Sequence, residues 1–583
     1  MPEVAHRILF IPELLVVIFS FLDRGTNVTN AQVCKRWSEI ALDLVWKEVD
    51  NLLGLFDLLQ PTYYEEADRE YVRSLCLASL TLNSFRPQQR FTKLPEVTDW
   101  SRFEKYASRV RSLKCRPHKH ELETGPEADL CPLLRDVALT RTSPVILPKM
   151  HTLEWRYTTP AHMAHCRLFL HRGLRHLSVT APSQSDPQPD FYSDLCARAP
   201  HLHAFILFVN LHAAPIDTEL SILPEKLPEL KMIALPEFNY TSAVIKQLSL
   251  AKNIAVVDFT QGDPSLGYGS PANMSLFKPM LTEGAFPCLR ELNLSAGIGD
   301  LDRFFRSTFA PIHITTLSVN SYADHSPAEV HAFLTTLQRC QLLSKLNLRL
   351  YNKFLPADLP VNRRLSYAAI KPVLAIRNLS SFQLVHKFPL KLTLDELEDL
   401  ARKWPDLENL MLNAEPLFLE KDAFTLDLRA LLPFARYCPR LRLLGIYIDA
   451  SKAEIPSPST PLEPFSALQN LELGTSLVRD TDTVATFLSE ICPSRCAVGA
   501  GITWTTSGSG DSRLLPSDLI LSLQIRCSAW LAIGELVPVL IQVRQQAKER
   551  SRALQEEVED LRWQNFLLTH KAHTMINDPC IIT

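Results

Sequence analysis

The sequence is poor in glycine, with 17 among 583 residues, and the shortage bears first on chemistry. Phosphate cradles need glycine where backbone N–H groups approach a ligand closely. Gly499-Ala-Gly501 and Gly508-Ser-Gly510 stand without the lysine or the helix context of such a loop. Neither sign of charge dominates: 61 basic and 64 acidic side chains leave a net charge of −3. Composition therefore gives no electrostatic case for a nucleic-acid partner. The 13 cysteines lack regular pairwise spacing, which excludes a disulfide scaffold. Met1 to Phe10 carries Glu3, His6 and Arg7 with no apolar run, so no secretory signal is expected there. Long apolar runs are scarce too. The most apolar stretch, Cys527 to Val543, abuts Arg526 and is interrupted by Gly534, Glu535 and Pro538. A spanning helix needs about 20 apolar residues, so no membrane span is expected. An intracellular, reducing location, cytoplasmic and/or nuclear, is the resulting expectation.

What is present is ordinary globular material, 46% hydrophobic and 21% charged, enough for a large core. Pro12 opens the segment Ile11 to Leu22, and proline suits a first helical turn because its missing N–H would have had no partner. Leu14, Leu15, Ile18, Phe19 and Leu22 recur at helical spacing, while Val16, Val17 and Phe21 make the helix apolar nearly all round. A small helical domain cannot bury both faces of such a helix, so one face is expected to seek a partner. Asp23 to Asn27 breaks the helix with turn chemistry. A second helix is expected from about Val28, through Val33-Cys-Lys-Arg-Trp37, toward Ile40 and Leu42, with Trp46 beyond.

The order Ile11-Pro12, Leu14 to Leu22 with Asp23, then Val33-Cys34-Lys35-Arg36-Trp37 and Trp46, resembles the F-box over about forty residues. The resemblance implies a three-helix domain in which Pro12, Leu14, Leu15, Ile18, Phe19 and Val33 lie on or near the surface that docks a Skp-type adaptor. Through that adaptor it implies a cullin. Trp37 and Trp46 are expected to fill the small core.

Further on, a cassette of the form apolar-x-x-apolar-x-apolar recurs. Its clear copies are Leu289/Leu292/Leu294, Leu343/Leu346/Leu348, Leu407/Leu410/Leu412 and Leu468/Leu471/Leu473. Looser copies begin at Met150, Leu174, Leu202, Leu230, Ile254, Ile314, Leu379 and Leu441, so that the 12 starts are spaced by 24 to 36 residues. The fourth and sixth positions alternate inward along a short strand, and stacked parallel strands share a core that one strand could not build. Helical patterns fall between cassettes, at Ser326 to Gln338, Leu394 to Lys403 and Phe424 to Tyr437.

This resembles leucine-rich-repeat proteins, and with the F-box it resembles fungal-type F-box proteins with degenerate repeats. The expected fold is α/β: the F-box, an irregular solenoid with parallel strands on its concave side, and a C-terminal helix. The expected domains are 1–50 (F-box), 51–105 (helical connector with Trp100 and Phe103 in its core), 106–510 (solenoid) and 511–583 (helical cap or short coiled coil). Two departures stand out. The asparagine that often follows the cassette is missing, Gly297 and Tyr351 standing in its place, so the turns must be held otherwise. Val72/Leu75/Leu77, Val110/Leu113/Cys115 and Leu134/Val137/Leu139 are ambiguous as earlier copies. Ala181 to Asp190, Ile455 to Pro464 and Thr505 to Ser512 read as exposed loops or a flexible break.

Catalytic groupings are not apparent. Cys115, His118 and His120, with Cys131 downstream, have zinc-compatible chemistry but match no standard finger spacing, so no metal or other cofactor is expected. Cys196, Cys340, Cys438 and Cys492 fall near cassettes and read as packing at tight corners. In Asp324-His325-Ser326, the serine followed by Glu329 reads as a capping box. Near the end, Leu540, Ala547, Leu554, Leu561 and Leu568 are spaced by seven. The second seam offers either Arg550 and Gln564 or Ser551 and Asn565. A cap on the last repeat and a weak homodimer both remain open.

The resemblance implies the substrate-recognition subunit of a Skp–cullin–F-box ubiquitin ligase, a non-catalytic positioner that binds a protein client through its repeats. A non-ligase F-box scaffold is the alternative, and a metal-dependent enzyme a more distant one. The client is not legible. Outward positions beside the cassettes, such as Arg290 and Glu291, Ser344 and Lys345, Glu408 and Asn409, and Arg442 and Leu443, mix charge and apolar groups without a theme.

Overall fold

The computed structural model describes residues 11–65, 88–116, 129–157, 159–181, 190–210, 220, 222–260, 266–267, 277–323, 325–350, 364–416, 426–452, 462–501 and 517–576. The chain divides into two compact units, the first running to Tyr322 and the second beginning at Ala323.

The first unit opens with three helices, α1 (Pro12–Ser20), α2 (Arg24–Asn30) and α3 (Lys35–Val45). The long second helix expected from Val28 is therefore two. The chain breaks between Ala31 and Cys34, and extended Cys34 caps α3. Asp23 accepts the Thr26 amide at 3.0 Å and so starts α2. Buried Asn27 donates to the Phe19 carbonyl at 2.9 Å, which ties α2 to the end of α1.

The repeat strands follow. They are β1 (Glu48–Val49), the antiparallel pair β2 (Thr62–Glu65) and β3 (Gln88–Phe91), which forms a separate sheet, then β4 (Ser112–Cys115), β5 (Thr152–Trp155), β6 (His176–Ala181), β7 (Ala204–Asn210), β8 (Met232–Pro236), β9 (Val256–Thr260), β10 (Leu266–Gly267), β11 (Glu291–Ser295) and β12 (Thr316–Ser321). Within this unit β1, β4 to β9, β11 and β12 form a parallel sheet in chain order. The short β10 pairs antiparallel with β7. The connector between α3 and β4 holds helices α4 (Leu52–Phe56) and α5 (Val97–Ala107) beside the β2–β3 pair. Phe56, Trp100 and Phe103 are its buried core.

In the second unit the strands β13 (Lys345–Leu350), β14 (Ser381–His386), β15 (Asn409–Leu412), β16 (Leu443–Ile446), β17 (Asn470–Glu472) and β18 (Ala497–Gly499) are again parallel and in chain order. Its helices include α6 (Pro327–Leu337), α7 (Leu394–Lys403), α8 (Leu432–Tyr437) and α9 (Thr481–Ile491). A single helix, α10 (Ser517–Ile576), closes it.

Every one of the cassettes from Met150 to Leu468 delivers a strand that begins two residues after its first apolar position. The three cassette positions are buried throughout both units. Val110/Leu113/Cys115 is a genuine copy and supplies β4. Leu134/Val137/Leu139 is not: it lies in the helix Cys131–Thr140, and Leu139 is exposed. Val72/Leu75/Leu77, Tyr351 and the three expected loop segments lie wholly or largely outside the described residues. The sheet also begins earlier than residue 106. Its first strand, β1, follows α3 directly.

Buried polar side chains hold the turns where the asparagine ladder is missing. In the first unit Glu237 Oε1 accepts hydrogen bonds from Ser295 Oγ at 2.9 Å, Asn320 Nδ2 at 2.6 Å and Tyr322 OH at 2.7 Å. One side-chain oxygen thus joins the end of the β8 repeat to the ends of the β11 and β12 repeats, across the intervening β9. In the second unit Asn413, at φ 50°, accepts the His386 amide at 2.8 Å and donates to the Phe388 carbonyl at 2.7 Å. Ser476 accepts the Ile448 amide at 2.9 Å.

Candidate functional site: an exposed apolar helix face and its attachment

The burial of α1 follows its helical wheel. Leu15 and Phe19, one turn apart, are 0% and 2% exposed and pack with Ala41 against Ala31, Trp37, Ile40 and Leu44. The Phe19 and Trp37 rings meet edge-on at 5.2 Å. On the opposite side Leu14, Val17, Ile18 and Phe21 form one stripe, with Phe21 85% exposed. Pro12 and Val33 are exposed as well. An apolar patch of this kind on a folded domain marks an interaction surface.

The six expected adaptor residues thus divide. Pro12, Leu14, Ile18 and Val33 are on the surface, whereas Leu15 and Phe19 are core and lend the stripe its support. Their i, i+4 spacing defines the buried seam, and a small helical domain has no other aromatic on α1 to fill it. Val17 and Phe21 were missed as surface residues, although the all-round apolarity of α1 was their signal. Trp46 also departs from expectation. It is half-buried against Tyr106 of α5, ring centroids 5.4 Å apart, and so packs on the connector instead of filling the three-helix core.

The attachment behind this face is dense. Glu48 and Val49 pair in parallel register with Ser112 and Leu113. The amides of Arg111 and Ser112 both donate to the Lys47 carbonyl, at 2.9 and 3.0 Å. Arg109, 17% exposed, donates to the Glu39 carbonyl at 3.0 Å and pairs with the carboxylates of Glu39 and Asp43 on α3. Burial works against its charge, but the hydrogen bonds it donates to these two carboxylates raise its pKa above the ordinary arginine value. Lys114 pairs with Glu48 at 2.9 Å, and that hydrogen bond and its charge hold the Glu48 carboxyl below its usual range. The helical domain and the repeat sheet therefore share a strand, an aromatic contact and an ion-pair cluster. A ligand held on α1 is positioned with respect to β4 and its neighbours.

The open face of the first sheet carries charged side chains that are already paired. Arg116 grips Glu154 through two nitrogens at 2.9 and 2.7 Å, Arg156 joins at 2.8 Å, and the Arg156 guanidinium lies 3.3 Å from the centre of the Phe208 ring. Asn293 donates to Asp258 at 2.8 Å. Among the outward positions singled out in sequence, Arg290, Glu291, Lys345 and Arg442 are exposed and Ser344, Glu408, Asn409 and Leu443 half-buried.

Of the zinc-compatible cluster only Cys115 and Cys131 are among the described residues. Cys115 is a buried strand residue, and His118 and His120 lie outside the described residues. Cys131 instead meets Asp129 and His162. Both ring nitrogens of His162 already have protein partners, the Leu130 amide at 3.3 Å and Thr159 Oγ1 at 2.5 Å, and Asp129 accepts the Cys131 amide at 3.0 Å. The trio is an internal brace at a helix start, with no free imidazole nitrogen to offer a metal.

Burial pushes the thiols of Cys340 and Cys438 up to about 12, so both are protonated packing groups. Cys492 is buried, and its hydrogen bond with Cys496, together with burial, raises its thiol; burial also raises that of half-buried Cys196. Ser326 and Glu329 form the expected reciprocal capping box on α6, and Asp324 is outside the described residues.

The first part of α10 covers the last repeat. Trp530, Ile533 and Val537 are buried, Trp530 Nε1 donates to the Ser476 carbonyl at 2.9 Å, and Arg526 reaches the Thr475 carbonyl at 3.1 Å. Gly534 allows the approach, since a Cβ there would lie 2.8 Å from the Val498 carbonyl oxygen. By length and composition α10 is the one described helix apolar enough to cross a membrane, yet its most apolar part is this cap.

A family model for F-box-like domains matches residues 12–51. The chain carries an F-box-like domain followed by leucine-rich-repeat-like parallel sheets. No curated protein sequence matches it. Among solved structures, a chain of the Rad7 and Elc1 complex in yeast is 16% identical with TM-score 0.32, over 58% of this chain and 78% of that one. The leucine-rich repeat-containing protein LegL7 from Legionella pneumophila is 15% identical with TM-score 0.28, over 60% of this chain and 92% of that one.

Proposed function

We propose that this protein is the substrate-recognition subunit of a Skp–cullin–F-box ubiquitin ligase. The observation that carries the proposal is the exposed apolar stripe of α1 on an F-box-like domain fused to a repeat sheet through a shared strand. The stripe, with Pro12 and Val33, docks a Skp-type adaptor and through it a cullin. The repeats hold a protein client, and the stiff junction presents that client to the conjugating enzyme. The contribution is proximity: a bound lysine and an activated carboxyl are held together, and this chain supplies no reacting group. Such a complex works in the cytoplasm and/or nucleus.

The proposal is tested by comparing proteins retained by the wild-type chain with those whose half-lives lengthen when the chain is removed. A receptor yields proteins in both sets, and their ubiquitylation falls with a Leu14→Asp/Ile18→Asp variant. A set of bound partners whose half-lives do not change identifies a non-ligase scaffold and refutes the receptor reading.

A further inference from the structure

The last contact of α10 with the repeats is the ion pair of Arg544 with Glu490 at 2.7 Å. Every side chain from Gln545 to Thr569 is exposed. In proteins most helical stability comes from packing an apolar face, and these described residues pack on none of the repeats. The segment nevertheless carries an apolar seam. Ala547, Leu554, Leu561 and Leu568 repeat every seven residues, and Ser551, Val558 and Asn565 stand four residues after each of the first three. Leu554, Val558, Leu561 and Leu568 are among the exposed large apolar side chains. The other potential seam, Arg550, Glu557 and Gln564, is wholly polar.

In heptad terms Ala547 and the three leucines occupy d, and Ser551, Val558 and Asn565 occupy a. Leucine at d with a β-branched residue at a favours two parallel strands, and a lone asparagine at a fixes register and dimeric state at a cost in stability. The flanking charges agree. In a parallel, in-register pair, Glu557 at g faces Arg562 at the following e of the second copy. The other such pairs, Arg550 with Gln555 and Gln564 with Thr569, hold no like charges. We infer that residues 547–568 of α10 pair with the same segment of a second copy as a short parallel coiled coil. The cap and the dimer are then successive parts of one helix: residues up to Arg544 close the repeats, and those beyond it join two chains. Trp563 and Phe566, stacked 5.6 Å apart, lie outside the seam. This inference does not depend on the adaptor reading.

The test is sedimentation equilibrium of the full chain with Leu561→Asp, Glu557→Lys and Arg562→Glu variants, none of which touches the repeats. Wild type sediments as a concentration-dependent dimer, and Leu561→Asp weakens association at least about tenfold. Glu557→Lys and Arg562→Glu each weaken it alone, and mixing those two variants restores dimers, because both facing pairs are then opposite in charge. Wild type that remains monomeric, a Leu561→Asp variant that still dimerises equally, or a monomer that binds neutral phosphatidylcholine vesicles through this segment overturns the inference.

Discussion

Ile18 and Phe19 are neighbours in sequence with opposite roles, and substituting them separately tests the division of α1. Phe19 is 2% exposed, and its ring fills the space between α1 and Trp37. Truncation to alanine removes a buried aromatic from a tight cluster, a change that costs about 3–5 kcal/mol. Ile18 is 39% exposed, and an aspartate there points into water, so the fold loses only about 0.5 kcal/mol from helix propensity. The chain contains two units and need not unfold in one step, so the readout is hydrogen exchange of the α1–α3 amides rather than a global melt. Phe19→Ala accelerates their exchange roughly 100-fold or more. Ile18→Asp leaves it nearly unchanged yet weakens a purified Skp-type adaptor by about 30-fold or more, since an unpaired carboxylate must be desolvated in an apolar interface. Two results refute the reasoning: Ile18→Asp binding the adaptor like wild type, or Ile18→Asp accelerating exchange as much as Phe19→Ala.

Arg109→Ala removes the ion pairs to Glu39 and Asp43 and should cost the α3–β4 junction about 1–3 kcal/mol. Adaptor affinity should stay unchanged while exchange of the Ser112 and Leu113 amides rises. Glu237→Ala leaves the Ser295, Asn320 and Tyr322 donors without their acceptor and should destabilise the first unit by about 1–3 kcal/mol or more, read as a lower midpoint in urea. Burial lowers both His325 and His386 to about 4. Their neutral forms belong to the fold, so stability is full above the unfolded value near 6.5 and is lost as pH falls toward 4. Between pH 7 and 5 each contributes a loss of about 2 kcal/mol, measurable as faster exchange around β14 and α6, and His386→Gln should flatten that dependence. Trp530→Ala should free the start of α10 from the last repeat at a cost of about 3–5 kcal/mol, exposing β18 to proteolysis.

The repeat strands were legible because burial of a strand face writes itself directly into the sequence. Leu289, Leu292 and Leu294 announce β11 because they recur within an array of like copies. Where the cassette was incomplete the strand was not found. Short β1 has only Val49 buried, and β18 relies on Cys496 and Val498 under α10. The helix Cys131–Thr140 shows the converse, since three apolar residues at cassette spacing also fit a helical face, and the choice between them is made by packing partners distant in sequence. The F-box surface was half legible for the same reason. Apolarity all round α1 shows that two faces are covered, but which face meets Ala41 and Trp37 depends on how α3 lies against it. The substitutes for the asparagine ladder were not legible at all. Glu237 reaches donors 58 to 85 residues away, and nothing local to its position marks it.

The central claim is that the exposed stripe of α1 docks the ligase while the repeats hold the client, and one measurement addresses it most directly. Deleting residues 1–50 is a poor control, because Glu48 and Val49 belong to the repeat sheet. The better one is a Leu14→Asp/Ile18→Asp/Val33→Asp chain, with wild type and variant captured from cells and bound proteins quantified by mass spectrometry. The account predicts that wild type retains a Skp-type adaptor and a cullin, and that the variant loses both while keeping its other partners. Wild type recovering neither, or the variant retaining both in full, contradicts it.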